Sequence, residues 1–177
     1  MKRTGNSFSG TDVLYGQSNA GMDNLIPQIR NATRALIVRD GHILLLKKEY
    51  DDGKTCFAFP GGGQETDETL IQALNRECAE EIGVEVEIGR LIHVADCFKL
   101  RNTTPSTTRH LVEFFFECTI SDSYIPRNGH HPDKHQVGVV WKDVTQVENM
   151  ALFFPALIAS LDRTAKTNDP VYLGKFC

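Results

Sequence analysis

Glu77, Glu80 and Glu81 stand at i, i+3 and i+4 within LIQALNRECAEEIGV, a stretch with helical periodicity. At about 100° per residue they fan over a wedge of roughly 100° on one flank of a helix. Like charges at these spacings destabilise an isolated helix by about a few tenths of a kcal/mol per pair. A solvated helix face tolerates that cost. A hard divalent cation held by oxygen ligands removes it, and brings the chemistry such a cluster could do. The run Gly61-Gly62-Gly63 lies just upstream. Residues without side chains let the backbone come close to a metal or a phosphate, which makes these three candidate substrate-binding positions.

The spacing around the cluster is more specific than the cluster itself. Gly62 is followed after five residues by Glu68, and after seven more by Arg76-Glu77. Cys78, Ala79, Glu80-Glu81, Ile82, Gly83 and Val84 complete the run. This pattern resembles the signature of the Nudix hydrolases, with Gly62, Glu68, Arg76, Glu77, Glu80, Glu81 and Gly83 at its specified positions. Cys78 departs mildly, filling a site where the family usually carries a larger aliphatic residue. Cysteine behaves as a small hydrophobe, so the departure bears on packing rather than chemistry.

The resemblance implies a metal-dependent hydrolase that cleaves the diphosphate linkage of a nucleoside diphosphate joined to another moiety. That reaction needs charge neutralised on phosphoryl oxygens and a water placed in line and deprotonated. Oxygen-only ligands favour Mg2+, with Mn2+ as a substitute. By resemblance, Glu77 and Glu81 bind metal most directly, and Glu80 completes the site or activates the water. Arg76 orients these acids. Its pairing with Glu68 reads equally as structural support or as catalysis, and Gly83 supports the site by ending the helix. Family members differ over which carboxylate is the base.

The elements that must hold these residues are legible on either side. ATRALIVRD (32–40) reads as an apolar strand, and Asp40-Gly41 signals a two-residue hairpin into HILLLKK (42–48). A turn at Asp51-Asp52-Gly53 leads to TCFAF (55–59), and Pro60 with the glycine run stops that strand. Thr66 or Asp67 is expected to cap the following helix. Along the helix, Ile71, Leu74, Cys78 and Ile82 form a stripe expected to face the core, with the glutamates about 90–100° away at its edge. Strands are expected at 87–99, 108–120 and 136–144, and a terminal helix at 151–162. Strands around a long helix suggest a mixed sheet between helices. The resemblance implies the same α/β class: an α/β/α sandwich with a mixed β-sheet, over 31–164, after an extension at 1–30 and before a weakly patterned tail at 165–177.

Other residues could join the site. Glu113 and Glu117 lie four apart in a strand and share one face, as extra ligands or as solvent-facing carboxylates. His130, His131 and His135 sit in a polar loop, and Asp133 or one of the histidines could serve as a loop-borne base. Arg34, Lys47, Lys48 and Arg109 could contact phosphate. Phe114, Phe115 and Phe116 alternate between faces, which core packing explains, and Trp141 reads as core or rim.

The 177-residue chain fits one domain with modest extensions. A formal net charge of −4 gives no footprint for non-specific nucleic-acid binding. The five cysteines include no C-x-x-C pair, which suggests reduced buried thiols, no structural zinc and a cytoplasmic setting. No signal peptide or membrane span is expected. A homodimer is common among similar proteins. Two other functions are compatible with the motif: a nucleotide-sensing regulatory module without turnover, and isomerisation of isoprenoid diphosphates. The unbroken set of acids with Arg76 counts against the first. The second calls for a catalytic cysteine, which Cys56, Cys97 and Cys118 do not obviously provide.

Overall fold

The computed structural model describes residues 29–101, 103–149 and 171–175. Strand β1 (Arg30–Arg39) turns through Asp40 and Gly41 into β2 (His42–Glu49). Both turn residues have positive φ (50° and 72°), as a hairpin turn matched to strand twist requires. Strand β3 (Thr55–Ala58) runs antiparallel beside β2. The chain then crosses through the glycine run into helix α1 (Leu70–Ile82). Strands β4 (Glu87–Arg101) and β5 (Thr107–Thr119) form a long antiparallel pair, and β5 lies parallel to β1. Strand β6 (Gln136–Asp143) pairs antiparallel with β2 and leads into a 3-10 turn at Val144–Asn149. Last comes β7 (Tyr172–Lys175), parallel to β4.

The sheet order is β3-β2-β1-β5-β4-β7, with β6 on the other side of β2, so the sheet is mixed. β1 joins β2 only at the hairpin end, through Val38–Ile43 and Arg39–His42, and spends Arg30 to Ile37 against β5. Strand alternation sends its residues into two cores. Leu36, Ile43, Leu45, Phe115 and Cys97 fill one. Ala35, Ile37, Leu44, Leu46 and Phe116 fill the other, where Leu74, Cys78 and Ile82 of α1 cover them. Period-two alternation in doubly covered strands gives this division directly.

The mixed α/β fold with a helix on the sheet is as expected from the sequence. The helix expected at 151–162 lies outside the described residues, as does nearly all of the 1–30 extension. Four expectations change. The N-cap is Thr69, not Thr66 or Asp67; its hydroxyl accepts from Gln72 N–H, while the Gln72 side chain accepts from Thr69 N–H. Ile71 is 43% exposed, whereas Ala73 and Glu81 are buried. The buried stripe is therefore rotated toward the glutamates, and Glu81 lies inside it rather than at its edge. Part of the weakly patterned tail forms β7, whose length of four residues carries too little periodicity to be read. Cys97 is disulfide-bonded, while Cys56, Cys78 and Cys118 are free thiols. Spacing along the chain does not reveal such pairing. No helix among the described residues is long and apolar enough to cross a membrane.

Candidate active site

A cleft of about 670 Å³ opens between α1, the glycine run and the ends of β1, β4 and β5. One wall is the acidic ledge. Glu77, Glu80 and Glu81 all line the cleft, with Gly61, Gly62 and Gly63 beside them. Gly61 has φ 124°, a conformation open to glycine, and its N–H donates to Glu81 Oε2 at 2.8 Å. At Gly62 any Cβ would run into the Glu77 carboxylate. The glycine run is thus the floor on which the ledge rests.

Arg76 organises the ledge from behind. Its guanidinium donates to both oxygens of Glu68 (2.6 and 3.1 Å), to Glu77 (3.0 Å), to Glu80 (3.4 Å) and to the Gly63 carbonyl (2.9 Å). The bidentate grip on Glu68 fixes the plane of the fork, so the remaining donors can aim two acids and the loop. Glu68 holds Arg76 in this geometry and does not itself line the cleft. Gly83 closes the helix in the left-handed conformation. Beyond it, the 121–136 loop satisfies the last helical carbonyls. Gly129 N–H donates to Glu81 O (3.0 Å), His131 N–H to Glu80 O (2.9 Å) and the Gln136 side chain to Glu81 O (2.7 Å). Tyr124 hydroxyl donates to Ile82 O at 2.8 Å.

Electrostatics show what the ledge lacks. Burial lifts the Glu81 carboxyl to about 8, against the Gly61 hydrogen bond and Arg34, with Glu77 adding to the rise. Burial also raises Glu77, against Arg76. Two carboxylates short of positive charge, oxygen donors only and a close backbone floor fit a hard divalent cation. Among the described residues no three His, Cys, Asp or Glu side chains are already gathered as a cage. Arg76 holds Glu77 and Glu80, and Gly61 holds Glu81.

The opposite wall is cationic, and three of its four members, Arg34, Lys48 and Arg109, are among the expected phosphate contacts. Arg34, Lys48, Lys99 and Arg109 line it. Arg34 donates to the Gly61 carbonyl and, through Nη2, to Glu113 Oε1 at 3.0 Å. Lys99 donates to that same oxygen at 3.0 Å. Burial raises Glu113, but Arg34 and Lys99 outweigh it and hold the carboxyl below its ordinary value. Lys99 is pulled down to about 8, chiefly by burial and by Arg34. Lys99 was not among the expected phosphate contacts. The signal was available: Ala95 and Cys97 are buried, so two-residue alternation sends Lys99 to the same inward face.

Other candidates separate cleanly. Glu117 is half exposed and pairs with Arg90 at 3.0 Å, a solvent-facing carboxylate far less buried than Glu113. Lys47 pairs with Glu49 away from the cleft. Asp133 reaches the cleft and is tied to Lys48. His131 lines the cleft, His130 borders a shallow hollow beside the helix end, and the His135 ring lies tilted against Tyr50 with centroids 4.6 Å apart, so the histidines do not converge. Phe115 and Phe116 are core, and Trp141 is partly buried under Arg39, 4.5 Å from the ring centroid.

Known proteins resemble this arrangement. An ADP-ribose pyrophosphatase of Methanocaldococcus jannaschii is 40% identical over 63 residues, 36% of this chain and 37% of that protein. A CTP pyrophosphohydrolase of Escherichia coli is 42% identical over 59 residues, 33% of this chain and 44% of that protein. The chain thus spans less than half the length of these curated relatives. A NUDIX hydrolase structure from Nitrosomonas europaea superposes with a TM-score of 0.59 at 19% identity, over 76% of this chain and 87% of that one, which shows the fold. Residues 29–161 match the NUDIX domain, and with a full signature on the acidic ledge, this chain belongs to the Nudix family.

Proposed function

We propose that the chain is a Nudix-type pyrophosphohydrolase, dependent on Mg2+ or Mn2+, acting on a nucleoside diphosphate linked to another moiety. The observation that carries this reading is the pairing of walls in one cleft, Glu77, Glu80 and Glu81 facing Arg34, Lys48 and Lys99. Glu77 and Glu81 would hold the metal, with Glu80 completing the set or taking a proton from the attacking water. The bound cation supplies charge neutralisation at phosphoryl oxygens and lowers the pKa of water. Arg76 fixes the acids so that little reorganisation is needed. The floor at Gly61, Gly62 and Gly63 admits the diphosphate against the backbone.

The relatives named for ADP-ribose and for CTP point to nucleotide-type substrates, and the motif serves the diphosphate that both share. We place the catalytic domain at 31–164. The free thiols Cys56, Cys78 and Cys118 favour a cytoplasmic setting, and the disulfide at Cys97 counts against it. The deciding experiment incubates the purified chain with ADP-ribose, CTP and other diphosphates, with and without Mg2+, and identifies the products. Phosphorylated products that require the cation support the reading. Tight nucleotide binding with no product from any compound would replace it with a sensing role.

A further inference from the structure

Behind the cationic wall of the cleft lies a carboxylate that no step of the proposed reaction uses. Glu113 lies on β5 between Leu111 and Phe115, on the inward face, and is fully buried. Its Oε1 receives both Arg34 and Lys99, each at 3.0 Å, while its Oε2 is sealed from solvent with no partner. A carboxylate this enclosed does not survive as decoration, because removing it from water is costly unless cations and hydrogen bonds answer it. Nor does it touch the space where substrate would lie. It acts through the groups it holds.

We propose that Glu113 is a positioning residue: by sharing one oxygen between Arg34 and Lys99, it fixes the two cations as a clamp for an anionic phosphoryl group of the substrate. Charge counting supports the assignment. Two cations on one carboxylate leave a net positive charge, and both side chains keep some exposure toward the cleft (14% for Arg34 and 31% for Lys99). Arg34 is anchored at its other side by the Gly61 carbonyl, the residue whose N–H holds Glu81. The clamp and the acidic ledge are therefore set against a common backbone point. The three partners come from β1, β5 and β4, which are neighbours in the sheet, and rigid strands hold such a constellation better than loops. Without Glu113, Arg34 and Lys99 would repel each other.

The inference rests on the hydrolase reading and is tested so that the two fail separately. Glu113→Gln keeps the size and one acceptor but removes the charge. For the substrate that the parent chain turns over, KM should rise about tenfold while kcat stays within about threefold. The inhibition constant of inorganic pyrophosphate should rise in parallel, and Mn2+ affinity should stay within about twofold. An unchanged KM and unchanged pyrophosphate inhibition in folded Glu113→Gln overturns the clamp. A loss of Mn2+ affinity of about tenfold or more also overturns it, because Glu113 would then serve the metal. Should Glu113→Gln not fold, Lys99→Gln, at the partly exposed rim, decides by the same KM and inhibition readings. If the parent turns over none of the compounds, calorimetric binding of Mg2+-pyrophosphate to parent and variant replaces kinetics, and the hydrolase reading falls while the clamp is still judged.

Discussion

The two walls of the cleft are built by opposite means. The acidic ledge comes from one helix turn, with its organiser Arg76 adjacent in the chain and its support Glu68 eight residues earlier. The cationic wall is gathered from four strands, β1, β2, β4 and β5, with Arg34 and its partner Glu113 separated by 79 positions. The first needs only a helix to form. The second needs the correct parallel register of β1 on β5, where Ala32 lies opposite Glu113, and the antiparallel register of β4 on β5, where Ala95 does. A local motif therefore reports chemistry, while a dispersed cluster reports that the sheet has closed as intended.

This contrast can be broken at either wall. The largest effect should come from Glu81→Gln, which keeps shape and removes a charged oxygen donor from the ledge. Turnover at saturating Mg2+ should fall about a thousandfold, about 4 kcal/mol of transition-state stabilisation, with the fold retained by circular dichroism. Parental single-turnover rates in this variant would break the ledge assignment. Next comes stability at the other wall. Glu113→Gln leaves Arg34 and Lys99 facing each other with no counter-charge, which should cost about 3 kcal/mol in denaturant unfolding. A cost below about 0.5 kcal/mol would show that the buried trio is not structurally coupled. Arg76→Lys keeps the charge but loses the planar fork on Glu68, Glu77 and Glu80. A tenfold to hundredfold drop in kcat, on the order of 1.4–2.8 kcal/mol, is expected, with little change in melting temperature.

A pH experiment sharpens the comparison. Burial holds the Glu81 carboxyl at about 8 against an ordinary 4.5. Between those values the folded chain keeps a proton that the unfolded chain has released, so metal-free stability falls as pH rises. In EDTA, the melting temperature should drop by on the order of 5 °C from about pH 5 to about pH 8. Mg2+ should flatten the slope by standing in for the proton, and Glu81→Gln should remove most of it. A slope unaltered by Mg2+ would place the cation elsewhere. The smallest effect belongs to Glu117→Gln. Its exposed pair with Arg90 should contribute no more than about 0.5 kcal/mol, and activity should be unchanged.

What could be read in advance follows the same divide. The signature from Gly62 to Val84, the hairpin at Asp40-Gly41 and the strand alternation at Phe115 and Phe116 depend on neighbours in the chain. The hairpin and the alternation appear as expected, and the signature lies within residues 29–161, which match the NUDIX domain. The helix stripe was misjudged because Ile71 was counted as core, whereas it lies in the first turn and stays exposed. Omitting it, and admitting Ala73, turns the buried face toward Glu81 and explains why that acid alone of the ledge is nearly sealed. The cap was misplaced for a related reason. Thr66, Asp67 and Thr69 can all cap in principle, and the reciprocal partner Gln72 selects the last. Lys99 is harder to read because a lysine in a strand is usually solvated; its alternation with Ala95 and Cys97 gives its face, and its partner across the sheet, Glu113, gives the reason it stays there.

The strapping of the 121–136 loop onto the end of the acidic helix has a practical corollary for engineering. Gly129 lies so close to the Glu80 carbonyl that no side chain fits there, and Gln136 grips the Glu81 carbonyl from the far end of the same loop. Transplanting a foreign segment there would therefore disturb the helix turn that carries Glu80 and Glu81. A graft confined to Ile125 and Pro126, with Arg127, Asn128, Gly129 and Gln136 left in place, is the version that spares helix α1.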